Sequence, residues 1–96
     1  MSQENIYRTI DIERRGFGRR YTWLPVDSLS RDGFVIDCTN GFLRPDMYDI
    51  RPGDIVRWRE GERLLEGTIA DIQREGQQLT ARVEGTKPLP AEAFYP

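Results

Sequence analysis

Histidine is absent from this chain of 96 residues, and cysteine and lysine occur once each, as Cys38 and Lys87. The first absence removes imidazole, the commonest general base and the usual pH switch. A single cysteine rules out an internal disulfide and any multi-cysteine zinc site. No apolar run approaches the roughly 20 residues that cross a bilayer as a helix. The start, Met1-Ser2-Gln3-Glu4-Asn5, is polar and acidic, and nothing behind it reads as a secretory signal. A lone thiol suits a reducing compartment, so the expected location is cytoplasmic, with no membrane partner. The cations are thirteen arginines and one lysine, a bias that a GC-rich bacterial genome would give.

Fourteen cations face sixteen acidic residues, for a formal net charge of -2. That balance argues against a whole-surface nucleic-acid binder but leaves room for a local basic stripe. Hydrophobic residues make up 38%. One domain over residues 1–96 with a thin core is what this length supports.

Turn signals recur about every ten residues: Asp32-Gly33, Asn40-Gly41, Pro52-Gly53-Asp54, Glu60-Gly61 and Glu75-Gly76. Between them, apolar residues alternate with polar ones. Ile10 and Ile12 share one parity, as do Phe34, Ile36 and Cys38, then Val56 and Trp58, then Leu79, Ala81 and Val83. A period of two places each set on one face of a sheet. The pattern predicts strands near 6–13, 20–26, 33–39, 54–60, 63–74 and 77–85. Asn40-Gly41 reads as a hairpin turn. Leu65 and Ile69 share a parity that Ile72 breaks, so an inserted residue is expected near Gly67. Pro45–Asp49 and Pro90–Phe94 each have room for one helical turn. The ends, 1–5 and 86–96, are expected to be the least ordered, with Phe94 and Tyr95 available to pin the C-terminus.

Gly53-Asp54-Ile55-Val56-Arg57-Trp58, Gly61, Leu65-Glu66-Gly67-Thr68-Ile69, Gly76 and Leu79-Thr80-Ala81-Arg82-Val83 follow a familiar rhythm. Over residues 51–85 it resembles the SH3-like small barrels of the KOW and Tudor families. The resemblance implies a non-catalytic binding module. The expected fold is one all-β domain, an SH3-like barrel of five or six bent antiparallel strands with one or two single-turn helices.

The sharpest local feature is Arg14-Arg15-Gly16-Phe17-Gly18-Arg19-Arg20-Tyr21-Thr22-Trp23. Arginine pairs bidentately with phosphate and aromatics stack on bases. Arg14, Arg15, Phe17, Arg19, Arg20 and Tyr21 are therefore candidates for a nucleic acid or nucleotide. The structural alternative is a hairpin turning at Gly16 and Gly18, with Tyr21 and Trp23 in the core and the arginines paired to carboxylates. Arg15-Gly16-Phe17-Gly18 opens like the RNP1 motif of RNA-recognition domains, but Arg19 and Arg20 break the match. Arg15-x-x-x-Arg19 followed by Ser28-Leu29-Ser30-Arg31-Asp32-Gly33 resembles the two-part signature of PilZ domains. That resemblance implies cyclic di-GMP held by Arg15 and Arg19, with Ser30 and Gly33 lining the opposite side. Two departures stand against it: Ser28 replaces the acid or amide, and only eight residues separate the parts.

No catalytic set emerges. Cys38 shares the inward parity of Phe34 and Ile36 and has no histidine to activate it, so a buried structural thiol is expected. Asp46 with Asp49 could pair for acid–base work or a metal. Glu60-Gly61-Glu62 reads as a solvated hairpin tip. No cofactor is expected. Phe42, Leu43, Met47, Tyr48 and Trp58 could form an exposed apolar face. With mixed surface charge, a protein partner or self-association is the favoured expectation, and a nucleic acid or cyclic dinucleotide is the alternative.

Overall fold

The computed structural model describes residues 8–90. Seven strands form one antiparallel sheet: β1 (Arg8–Arg14), β2 (Gly18–Val26), β3 (Ser28–Ser30), β4 (Gly33–Asp37), β5 (Ile55–Glu60), β6 (Arg63–Glu75) and β7 (Gln78–Pro88). Their order across the sheet is β2-β1-β5-β6-β7-β4-β3. A single 3-10 turn, Pro45–Met47, interrupts the long connection between β4 and β5. Among the described residues no helix is long and apolar enough to cross a membrane.

The alternation read from the sequence sets which face is buried. Ile10 and Ile12 on β1, Val56 and Trp58 on β5, and Leu65 and Ile69 on β6 meet Phe34 and Ile36 on β4 and Leu79, Ala81 and Val83 on β7 in one core. Each Val, Leu, Ile or Phe so buried contributes about 1.5–3 kcal/mol before entropy is counted. Their neighbours of opposite parity, such as Arg59, Thr80 and Arg82, are exposed.

A flat sheet could not enclose that core. The register of β6 against β7 slips between Glu66 and Thr68 and again between Ile69 and Asp71. These bulges curl the sheet into a half-barrel. They also explain why Ile72 packs against the core despite its broken parity, as the sequence predicts. At Gly67 a Cβ would lie 2.4 Å from Val83 Cγ1, so the bend admits no side chain. Gly33 is equally constrained: a Cβ there would stand 2.1 Å from the Ala81 carbonyl oxygen, where β4 joins β7.

The two edge strands, β2 and β3, are consecutive in the chain and only Asp27 separates them. The Asp27 N–H donates to the Val35 carbonyl at 2.8 Å, and its carboxylate accepts the Asp37 N–H at 2.6 Å. Backbone and side chain of one residue thus bridge the seam where no ladder forms. The open side of β2 carries Pro25 and a bulge at Thr22–Trp23, two devices that blunt an edge against strand pairing.

Several expectations need correction. The described residues form seven strands rather than five or six, because β3 is too short to show alternation. Asn40-Gly41 is not a hairpin turn; the Gly41 N–H donates to Cys38 at 3.2 Å and starts the loop after β4, which pairs with β3 and β7 instead. Residues 86–88 belong to β7, with Lys87 opposite Glu66 and Pro88 opposite Leu65. Residues 1–5, Phe94, Tyr95 and most of the second helical turn lie outside the described residues.

Gly33→Ala should cost about 1–3 kcal/mol, because the new methyl can fit only by opening the β4–β7 pairing. Gly41→Ala has nothing nearer than 3.9 Å and should change stability by less than about 0.5 kcal/mol. Chemical denaturation of both variants measures the difference; equal stability would contradict this register.

Candidate functional site

The connection 38–54 leaves β4 and crosses one end of the half-barrel before β5 begins. Its backbone passes over the core, so its carbonyls need partners. Two arginines supply them. Arg74 on β6 donates through Nε to Pro45 O at 2.9 Å, and through Nη2 to Tyr48 O at 3.0 Å and Ile50 O at 3.1 Å. Arg14, the last residue of β1, donates to Asp49 O at 3.1 Å and to the Asp49 carboxylate at 3.2 Å. Ile50 sits between these clamps with 1% of its surface exposed.

Asp54 holds the far end of the connection. It shares the inward parity of Val56 and Trp58 and is buried. Its carboxylate takes a two-pronged pair from Arg14, Nε to Oδ1 at 2.9 Å and Nη2 to Oδ2 at 3.0 Å. Oδ2 also accepts the Arg51 N–H at 2.9 Å. A buried carboxylate requires this matched geometry to offset its lost hydration. The same guanidinium is driven further toward its charged form by the hydrogen bonds it donates to Asp54 and Asp49. Asp49 also pairs with Arg20 and lies 3.3 Å from Arg51. Hydrogen bonds from Arg14 and then Arg20 lower its carboxyl from 3.8 to about 2.

These bonds sort the predicted ligand residues. Arg14 and Arg20 are spent on the crossing loop. Tyr21 packs on the core, its hydroxyl accepting the Asp49 N–H at 2.9 Å, with its ring 6.2 Å from that of Tyr48. Arg15, Phe17 and Arg19 stay exposed. Neither Arg15 nor Arg19 has an ion pair or side-chain hydrogen bond among the described residues.

The predicted apolar face also divides. Trp58 is only 4% exposed and belongs to the core, and Tyr48 is half-buried against it. Both leave the surface because they sit at inward positions of the sheet and the loop that caps it. Phe42, Leu43 and Met47 remain outside, Phe42 completely. All three belong to the crossing loop.

Trp23 is not in the core. The pairing of β1 with β2 steps from Ile10–Leu24 to Ile12–Tyr21. Thr22 and Trp23 therefore both stand opposite Asp11, and the inward positions are Tyr21 and Leu24. Trp23 adopts φ 56, the one positive value at a non-glycine among the described residues. Its N–H donates to Asp11 Oδ1 at 2.8 Å, which holds this bulge against a cost of about 1–2 kcal/mol. The indole, 76% exposed, walls a trough of about 460 Å³ on the outer sheet face with Arg19, Arg57, Leu64 and Leu89. Arg57 on its floor is shared between Glu13 at 2.6 Å and Glu66 at 2.9 Å.

The residues beside the two parts of the PilZ-like signature anchor at different ends of β5. Arg14 meets Asp54 just before β5, whereas Arg31 pairs with Glu60 at its end at 2.6 Å. The strand between them is about 20 Å long. Ser30 accepts the Asp32 N–H at 3.2 Å within its own turn, and Gly33 is required by the approach of β7. Cys38 is buried as expected, and burial pushes its thiol up. Among the described residues no three His, Cys, Asp or Glu side chains are grouped to hold a metal ion.

The residues the sequence reading missed are Asp54, Arg74 and Arg51. A signal for Asp54 was available: an acid on the parity of Val56 and Trp58 is an inward charge that demands a cation. Arg74 gave none, since its partners are backbone carbonyls of a distant loop.

Comparison of the chain with protein-family models, curated proteins and solved structures found no match.

Asp54→Ala removes the two-pronged partner of the Arg14 guanidinium, leaving it Asp49 alone, and should cost about 3 kcal/mol. Glu60→Gln, on an exposed pair, should leave the thermal midpoint unmoved. Equal effects would remove Asp54 from its structural role. Asp49 has a depressed carboxyl, so its contribution is complete above pH 4 or so and fades as pH falls toward about 2. Thermal midpoints measured across that range should fall less steeply for Asp49→Asn than for the parent.

Proposed function

We infer that the protein is a non-enzymatic binding module that docks an acidic protein partner on the end of the half-barrel capped by residues 38–54. The observation that carries this is the outward side of the anchored loop. Phe42, Leu43 and Met47 stand exposed within six residues, in a chain too small to spare apolar side chains from its core. The backbone from Pro45 to Ile50, which carries Met47 and follows Leu43, is held by Arg74, Arg14 and the buried Ile50. Little ordering entropy is then lost when a partner covers them.

Charge selects the partner. The hairpin 14–20 and the connection 38–54 together carry six arginines and three aspartates, an excess of three positive charges in a chain whose net charge is -2. A surface with an apolar anchor ringed by carboxylates complements this end and is steered toward it. The SH3-like rhythm of residues 51–85 supports the same reading, since such barrels are frames for docking. The buried, unpaired Cys38 suits a cytoplasmic setting.

The test places a photo-crosslinking residue at position 42 or, as a control, at position 80 on the exposed side of β7. Position 42 should capture one polypeptide, to be identified, purified and titrated. Its affinity should fall with salt and drop at least tenfold for the double variant Leu43→Asp, Met47→Asp, about 1.4 kcal/mol or more, with the fold intact. Identical capture from position 80, or a crosslink only to a second copy of this chain, overturns the proposal.

A further inference from the structure

Beside the Arg14–Asp54 pair lies an open cleft of about 400 Å³, lined by Arg15, Arg51, Pro52, Gly53 and Thr68 around that pair. We propose that this cleft is a binding site for the phosphate groups of a small ligand of nucleotide size. It goes beyond the docking reading: Phe42, Leu43 and Met47 take no part in it, although Arg15 and Arg51 also belong to the positive end that reading uses.

The charges inside it do not cancel. Arg14 and Asp54 neutralise each other, and the Asp54 oxygens are taken by Arg14 and by the Arg51 N–H. Arg15 has no ion pair among the described residues. Arg51 has one carboxylate neighbour, Asp49 at 3.3 Å, which already serves Arg14 and Arg20. Two exposed guanidiniums therefore border a cleft whose single acid is already paired. Thr68, half-buried on the wall, adds a hydroxyl with no hydrogen bond to another described residue.

The floor is preset. The Asp54 N–H donates to Arg51 O at 3.1 Å, and the Gly53 N–H donates to Ile69 O at 2.7 Å. The turn is therefore fixed, and its backbone donors point away from an incoming anion. Recognition falls to side chains. Two planar guanidinium forks and a hydroxyl match the several oxygens of a phosphate better than the two of a carboxylate. The volume is on the scale of small-molecule sites and larger than one phosphate fills. Gly53 contributes no side chain, and a Cβ there would meet nothing within 4 Å, so the approach is clear.

The experiment is an amide-resolved NMR titration of the whole protein with three probes: inorganic pyrophosphate, a nucleoside triphosphate and a short single-stranded oligonucleotide. Pyrophosphate and the triphosphate should shift the amides of Gly53 and Thr68, saturably and more weakly as salt rises. Arg15→Gln should weaken binding about tenfold, the loss of one charge-assisted contact. Arg15 is exposed and unpaired, so that variant folds. Arg51→Gln should do likewise, whereas Arg31→Gln, at the other end of β5, should not. No shift at millimolar pyrophosphate, equal losses from Arg31→Gln and Arg15→Gln, or binding of the oligonucleotide alone each overturns the proposal.

Discussion

Asp54 is a buried carboxylate at one end of the core, and much of the architecture around it is arranged so that it can stay there. An unpaired charge at that depth would be intolerable. Arg14 therefore has to end β1 where β5 begins, and the pairing of Glu13 with Ile55 puts it there. The guanidinium, once placed, also reaches Asp49 and its carbonyl, which fixes the middle of the crossing loop. Arg74, on β6, holds Pro45, Tyr48 and Ile50 on either side of Asp49. The connection after β4 could have been a slack surface strap. Two cations instead make it a lid with defined backbone positions, and Ile50 completes the core from above.

This arrangement explains how an arginine-rich segment divides evenly between side chains paired within the fold and side chains left exposed. Residues 14, 15, 19 and 20 look equivalent in the sequence. Arg14 faces the loop at the end of its strand, and Arg20 reaches the same Asp49 from β2. Arg15 falls in the turn and Arg19 on the outer face. A charge run therefore divides according to where the hairpin turns and where the bulge reverses the faces. The pairs that form leave the positive potential of this end intact, because three aspartates cannot offset six arginines.

Most of the fold was legible because a period of two is a direct imprint of a half-buried strand. The β5, β6 and β7 segments fall within a residue or two of their predicted limits, apart from the last three residues of β7. The bend near Gly67 was visible as the parity break between Ile69 and Ile72. The failures share a cause, namely interactions between distant parts of the chain. Asn40-Gly41 has the chemistry of a hairpin turn, but β4 had already paired on both sides, so no strand was free to follow it. Trp23 has inward parity only if β2 is regular. The Asp11 carboxylate captures its N–H and the extra residue turns it out. Trp58, a candidate for the apolar face, shares the parity of Val56 and lies inward with it.

The site was legible in part for the same reason. Exposed Phe42, Leu43 and Met47 can be suspected wherever apolar residues follow the last alternating strand and precede a proline. That their loop is rigid cannot be read locally, since its anchors lie on β1 and β6. Rigidity is what separates a docking face from an incidental greasy loop. An unanchored loop would fold back over its apolar side chains or lose entropy on binding that offsets their burial. Here the carbonyls of Pro45, Tyr48, Asp49 and Ile50 are each tied to an arginine, so the loop cannot retreat without leaving buried polar groups unsatisfied. The arginine that makes Asp54 tolerable thus also helps to fix the stretch of loop just after Met47.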